Sequence, residues 1–131
     1  MRRILVVVIL TAVGGLAGAA ENVLTAGDAK AFGQLLAARR DKGGVVVVEL
    51  SAPWCVACKK LDPELDRLAE INPQLSVIRV DTDQVPAVGK RFDATSLPLL
   101  IKFDKGGEQR ESGFANGEVL AKWLGVSNKK K

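Results

Sequence analysis

The stretch Val45–Lys59, VVVVELSAPWCVACK, decides the fold of this chain. Its first part, Val45–Leu50, is an apolar, mostly β-branched run without alternation, which is typical of a strand buried on both faces of a parallel sheet. A helical pattern then runs over Cys55–Ile71, and Pro63 lies inside it, where a proline is expected to kink the helix. The stretch therefore predicts a strand-to-helix junction, with both cysteines of the chain at the start of the helix.

Helices and strands alternate on both sides of this junction. We predict helices at about 29–40, 55–71, 84–92 and 117–124, and strands at about 45–50, 75–81, 97–104 and 108–113. Asp28 and Asn116 are candidate N-caps, and Gly43-Gly44 ends the first helix. Because a long helix joins the first two strands, they must be parallel, whereas the last two strands form an antiparallel hairpin. The order predicts an α/β fold: a mixed sheet of about four strands with helices on both faces.

Composition narrows the classes of function. The 131 residues fit one domain and include neither histidine nor tyrosine. This excludes Ser-His-Asp and Cys-His catalytic arrangements and every zinc site that needs an imidazole. The net charge of +4 comes from scattered residues, and Lys129–Lys131 is interpreted as a solvated basic tail. No nucleic-acid partner is predicted.

The first twenty residues have the layout of a secretory signal peptide. Arg2-Arg3 precedes an apolar run over residues 4–16, and small residues follow up to Ala19 and Ala20, after either of which cleavage is expected. Residues 21–131 would then be the exported, periplasmic domain. Two alternatives stay open: retention of residues 4–16 as an N-terminal anchor that tethers the domain to the inner membrane, and a buried core helix.

The two cysteines are predicted to form a reactive dithiol. Cys55 follows the carboxyl end of the buried strand, where open α/β sheets place their sites. The unpaired N–H groups and the dipole of a helix N-terminus favour a thiolate there and lower the pKa of Cys55. Cys58 is one turn further inside, so the pattern predicts an exposed nucleophile and a resolving thiol. A metal cluster bridging two chains and a purely structural disulfide remain as alternatives.

Ala52–Lys59 resembles the active-site segment of the thioredoxin superfamily, and the resemblance covers roughly residues 29–124. Further along, Leu97 and Pro98 stand where the family carries a cis-proline facing the dithiol, although Leu99 replaces the family's usual threonine. The family's extra N-terminal strand has no convincing match here, unless Val23–Thr25 is a remnant of it. The other matching positions are Pro63, Val80–Asp83, Gly113 and Trp123-Leu124.

Within the superfamily, the Cys-Val-Ala-Cys-Lys segment is similar to the C-terminal periplasmic domain of the disulfide reductase DsbD. Leu-Pro, Phe-Asp and Gly-Phe pairs downstream add to this resemblance. Asp62, seven residues after Cys55, matches an acidic position near that domain's dithiol. The resemblance implies a free-standing relative that takes electrons from a membrane donor protein and passes them to other periplasmic proteins.

The resemblance also assigns roles outside the cysteines. Glu49 stands where thioredoxins carry a buried acid, so its pKa should be raised, and it would act as the general base for Cys58. The alternative is a side chain that points to solvent at a strand edge. Trp54 would cover one side of the dithiol and contact substrate, or else simply pack. Leu97 and Pro98 would bind an extended substrate segment, while Lys59 either supports a thiolate or is only solvated.

The leading hypothesis is a monomeric thiol:disulfide oxidoreductase that mainly reduces disulfides in exported proteins. Cys55 and Cys58 carry the electrons, so no organic cofactor and no metal is expected. Val56 and Ala57 offer no charge or side-chain hydrogen-bond donor to stabilise a thiolate, which favours the reducing direction. The alternatives are a disulfide oxidase or isomerase of the same fold, and a non-catalytic thioredoxin-fold adaptor or chaperone.

Overall fold

The computed structural model describes residues 21–113 and 116–129. The elements are, in chain order, β1 (Val23–Thr25), α1 (Ala29–Lys42), β2 (Val45–Ser51), α2 (Val56–Ile71), β3 (Leu75–Asp81), α3 (Pro86–Arg91), β4 (Leu99–Asp104), β5 (Gly107–Ser112) and α4 (Gly117–Leu124). The predicted signal peptide or anchor at residues 1–20 lies outside the described residues. Within the described ranges, none of the helices combines the length and apolar character that crossing a bilayer requires.

The strands form one mixed sheet in the order β1-β3-β2-β4-β5. β2 and β3 are parallel, and β4 and β5 form an antiparallel hairpin, as predicted. The sheet has five strands where the sequence pattern predicts about four, because Val23–Thr25 pairs parallel with β3. This strand is too short to show a hydrophobic period. The Asn22 side chain holds its start by donating to the backbone oxygens of Ala69 and Leu75.

Helices cover both faces of the sheet, and each face has its own apolar core. α1 and α3 lie on one face, where Phe32 is packed against the even-numbered side chains of β2. α2 and α4 lie on the other, where Leu65 and Leu120 pack around Val47 and Leu100. Because both faces are covered, the centre of β2 is fully buried, and the prediction from its unbroken apolar run is confirmed.

The predicted helix ends are confirmed where capping residues mark them. Asp28 accepts a hydrogen bond of 2.7 Å from the Ala31 N–H, and Asn116 accepts one of 3.0 Å from Val119. Two elements are shorter than predicted. α3 begins only at Pro86 rather than at about residue 84, since proline is well suited to a first helical position. β4 begins at Leu99 rather than at about residue 97.

Candidate active site

The two cysteines lie at the junction between the central strand β2 and helix α2. β2 ends at Ser51, and Cys55 is the N-cap of α2. Its backbone is extended, with φ of −82° and ψ of 102°, as an N-cap requires. Cys55 is therefore held at the carboxyl end of β2, in front of the free N–H groups of the helix.

Cys55 and Cys58 form a disulfide with a Cα–Cα distance of 5.3 Å. The backbone N–H of Cys58 donates a 3.2 Å hydrogen bond to Sγ of Cys55. Cys55 is only 5% exposed and Cys58 2%, so the prediction of an exposed nucleophile is wrong for this oxidised state. The reason is local packing, because Ala52 and the side chain of Leu97 close over the sulfurs.

Apolar side chains that do face solvent flank the disulfide. Trp54 is 68% exposed and Val56 65%. The Trp54 Nε1–H donates a 3.1 Å hydrogen bond to Oδ2 of Asp83, in the turn after β3. This bond fixes the indole beside the dithiol, and its exposure leaves it free for a partner, which plain packing would not.

A proline loop packs against the disulfide through Leu97. The Leu97–Pro98 peptide bond is cis, and Pro98 is buried while β4 starts directly after it. Next to this loop is an open cavity of about 320 Å³. It is lined by Ala57, Lys60, Leu61, Glu64, Pro98, Gly113 and Asn116.

Glu49 is a fully buried acid in β2, the strand that leads to the disulfide. It lies in β2 between Arg79 of β3 and Leu100 of β4, and it is 0% exposed. The alternative of a solvent-facing residue at a strand edge is therefore wrong, because β2 is a central strand. The pKa of Glu49 is raised to about 9, first by burial and then by the neighbouring Asp62, while Arg79 opposes the rise.

Arg79 contacts three acidic residues: Glu49 on β2, and Asp62 and Asp66 on α2. Its Nη1 lies 2.8 Å from Oδ1 of Asp66, and its Nη2 donates a 2.9 Å hydrogen bond to the backbone oxygen of Asp62. Its Nε lies 3.5 Å from Oε2 of Glu49 and 3.7 Å from Oδ1 of Asp62. Sequence reasoning names neither Arg79 nor Asp66. Arg79 is the single charge in the otherwise apolar middle of β3, and pairing it in register with Glu49 would have identified it.

Other predicted features of the site are less closely involved. Lys59 is exposed on α2, one residue after Cys58, which fits the interpretation of a solvated lysine. In the part of the chain that the structure describes, no group of three or more cysteine, histidine or acidic side chains could hold a metal ion.

Comparisons with known proteins agree with this geometry. The family model described as Thioredoxin matches residues 23–125. Thioredoxin of Chlamydia trachomatis is 35% identical over 82 residues, which cover 62% of this chain and 80% of that protein. Protein disulfide isomerase-like 5-3 of rice is 32% identical over 85 residues, covering 62% of this chain and 20% of that protein.

Solved structures are similar over most of the described chain. Fasciola hepatica thioredoxin is 27% identical with a TM-score of 0.68, and the match covers 77% of this chain and 95% of that one. Thioredoxin NaTrxh of Nicotiana alata has a TM-score of 0.71 at 20% identity, covering 84% and 96%, which shows a shared fold. With the disulfide at the N-terminus of α2, the family match establishes that the chain belongs to the thioredoxin family of thiol:disulfide oxidoreductases.

Proposed function

We propose that this protein is an exported, monomeric member of the family that works mainly as a reductant of protein disulfides. The observation that carries the proposal is the N-cap position of Cys55, whose sulfur accepts the Cys58 N–H. In the reduced protein the same N–H groups would stabilise a Cys55 thiolate, which is the attacking form of a thiol.

The reaction runs in two exchanges. The Cys55 thiolate attacks one sulfur of a substrate disulfide, forms a mixed disulfide and releases the other substrate sulfur as a thiolate. Cys58 then attacks Sγ of Cys55, so that the internal disulfide forms and the second substrate sulfur leaves. Two electrons have passed to the substrate, and a donor dithiol must return them by the reverse sequence.

Glu49 is proposed as the acid-base group for Cys58. Cys58 must lose its proton as it attacks and must regain one when the internal disulfide is reduced. A carboxyl with a pKa near 9 is protonated at neutral pH in the oxidised protein, so it is ready to protonate the departing Cys58 sulfur. It takes a proton back in the opposite step.

Trp54, Val56, Leu97 and Pro98 are proposed as the surface that receives the substrate. The exposed indole and valine offer apolar area on one side of the dithiol. The backbone beside Pro98 can pair with an extended segment, a mode in which main-chain hydrogen bonds supply affinity and neighbouring pockets supply selectivity.

The proposal also covers the direction of electron transfer and the protein that donates the electrons. Val56 and Ala57 add no charge or side-chain donor between the cysteines, so the thiolate has the helix N-terminus as its main support. We therefore expect a potential near the roughly −270 mV of thioredoxin rather than the roughly −120 mV of a strong oxidant. The resemblance of the Cys-Val-Ala-Cys-Lys segment to the C-terminal domain of DsbD favours a membrane protein as donor.

Equilibration of residues 21–131 with glutathione and dithiothreitol redox buffers tests the direction. A potential between about −290 and −230 mV supports the reductant. A potential above about −150 mV would instead favour an oxidase or isomerase, since it would mean that the Cys58 N–H and the helix strongly stabilise the thiolate. Failure to accelerate insulin reduction by dithiothreitol would favour an adaptor.

A further inference from the structure

Two buried carboxyl oxygens, one in β2 and one in the first half of α2, have no ordinary hydrogen-bond donor. They are Oε1 of Glu49 and Oδ1 of Asp62, and within the described residues they are the two buried side-chain atoms without such a partner. Leaving a buried acceptor unsatisfied costs about 1–3 kcal/mol. A proton on one of the two carboxyls satisfies both oxygens at once, and a hydrogen bond from Asp62 is indeed among the causes that raise the pKa of Glu49.

Asp62 differs from Glu49 in its access to water. The Glu49 side chain is 0% exposed, whereas that of Asp62 is 38% exposed. Its Oδ1 is nevertheless buried, so one carboxyl faces Glu49 and solvent together. Asp62 is also one helical turn, about 6 Å, along α2 from Cys58. It is therefore placed between the buried acid, the resolving thiol and bulk water.

The other charged side chains near Glu49 already have ion-pair or hydrogen-bond partners. Arg79 of β3 makes its shortest ion pair, 2.8 Å, with Asp66. On the β4 side, Leu100 is the residue opposite Glu49. Two residues further along β4, the Lys102 ammonium donates to the backbone oxygen of Trp123 and pairs with Asp104.

We propose that Asp62 is a positioning residue that carries the proton between the buried carboxyl of Glu49 and solvent during each redox cycle. The inference rests on the proposed acid-base role of Glu49. When a donor thiolate attacks Sγ of Cys55, the sulfur–sulfur bond breaks and its electron pair stays on Cys58. The Cys58 sulfur takes the proton of Glu49, directly or through one water, and in the same step Asp62 passes to Glu49 a proton drawn from water, so that no buried carboxylate is left behind.

The test measures how fast dithiothreitol reduces the internal disulfide, by rapid quench with an alkylating agent, from pH 5.5 to 9.5 and at several buffer concentrations. The thiolate fraction of dithiothreitol is common to all variants and cancels in their rate ratios. We expect Asp62→Asn to lose about tenfold in rate below pH 9, a small part of the 10²–10⁴ that general acid-base groups supply. Added imidazole buffer should restore that rate, while the wild-type rate stays independent of buffer.

Three further variants separate proton transfer from structure. Asp62→Glu keeps a carboxyl and should recover the wild-type profile. Asp66→Asn removes the other aspartate that holds Arg79 but keeps the Asp62 carboxyl, so its reduction rate should stay independent of buffer. In a Glu49→Gln background, Asp62→Asn should change nothing further, because the group it serves is absent.

A carboxyl titration followed by ¹³C NMR gives an independent readout. Asp62→Asn should lower the pH at which Glu49 ionises, because Asp62 raises the pKa of Glu49, while Glu70→Gln on the exposed side of α2 should leave it in place. Wild-type rates and buffer independence in Asp62→Asn would overturn the inference, and so would equal losses in Asp62→Asn and Asp66→Asn. The assay uses the protein's own disulfide, so failure with insulin or an oxidising potential would contradict the proposed function without touching this inference.

Discussion

Oε2 of Glu49 lies 3.5 Å from Nε of Arg79 on the neighbouring strand, yet the pKa of Glu49 is raised to about 9. An arginine this close would usually hold a carboxyl in its charged form. Here burial is the largest effect, and Arg79 divides its charge among three acids, with its shortest contact to Asp66. Desolvation therefore outweighs the attraction, and the acid is neutral at physiological pH.

This neutral acid predicts a stability that falls as pH rises. Between pH 4.5 and about 9 the native protein keeps a proton on Glu49 that the unfolded chain has released. The group therefore lowers the free energy of unfolding by about 1.4 kcal/mol per pH unit over that window, and adds no further slope above it. Glu49→Gln should remove this slope, as measured by urea denaturation of the oxidised protein from pH 4 to 10. An unchanged difference between the two proteins across that range would contradict the burial argument, and Glu70→Gln on the exposed side of α2 serves as the control.

The roles of the two cysteines predict opposite outcomes for their serine variants. Cys58→Ser should accumulate mixed disulfides with substrate proteins, because Cys55 still attacks but nothing resolves the adduct. Cys55→Ser should trap few or none, since Cys58 lies inside the first turn of α2 and lacks the N-cap position that favours a thiolate. Non-reducing gels and mass spectrometry after incubation with oxidised insulin measure both. Equal trapping by the two variants would mean that Cys58 is reached directly.

Because the Trp54 indole is exposed, we expect its removal to weaken the binding of protein substrates selectively. Trp54→Ala should raise the KM for a protein disulfide several-fold and leave reduction by dithiothreitol nearly unchanged, because the small reagent needs no docking surface. Asp83→Ala removes the 3.1 Å hydrogen bond from the indole but keeps the ring. A hydrogen bond of this kind contributes about 1 kcal/mol, so we expect roughly a fivefold effect at most. Parallel losses with the protein disulfide and with dithiothreitol would indicate damage to the dithiol instead.

Replacing each of two glycines by alanine should change the free energy of unfolding in opposite directions. Gly44 has a φ of +85°, and an added Cβ would collide with the backbone oxygen of Gln74. Gly44→Ala should therefore destabilise the protein by more than about 1 kcal/mol. Gly33 is exposed within α1, with nothing within 4 Å of its Cβ position, so Gly33→Ala should stabilise by about 0.5–1 kcal/mol. Thermal unfolding of both variants measures the contrast, and a destabilised Gly33→Ala would contradict it.

Local patterns in the sequence predict most of the fold. The apolar run of β2, the caps Asp28 and Asn116 and the position of Cys55 at a helix start each depend on neighbouring residues, so they can be identified without the tertiary structure. β1 could be named only through the family resemblance, as a remnant at Val23–Thr25, because three residues carry no period and its pairing with β3 brings together segments about fifty positions apart.

The candidate site was predictable only in part, because it too depends on contacts between residues that are distant in the sequence. Glu49 is conspicuous in an apolar strand, whereas Arg79 and Asp66 acquire meaning only when the register of β2 and β3 and the rotation of α2 bring them together. The shielding of Cys55 likewise depends on Leu97, more than forty positions away.

The parallel direction of β1 has a practical consequence for measurements on this protein. β1 pairs with Val77–Arg79 of β3, and the Asn22 side chain before it reaches the backbone oxygen of Leu75 at the amino-terminal end of β3, whereas Cys55 lies beyond the carboxyl end of β2. A strand of seven residues spans roughly 23 Å, so a fluorophore, surface linker or electrode attached at the exposed Glu21 would lie near the opposite end of the strands from the sulfurs. Immobilisation through that end would leave the redox surface pointing away from the support and open to partner proteins.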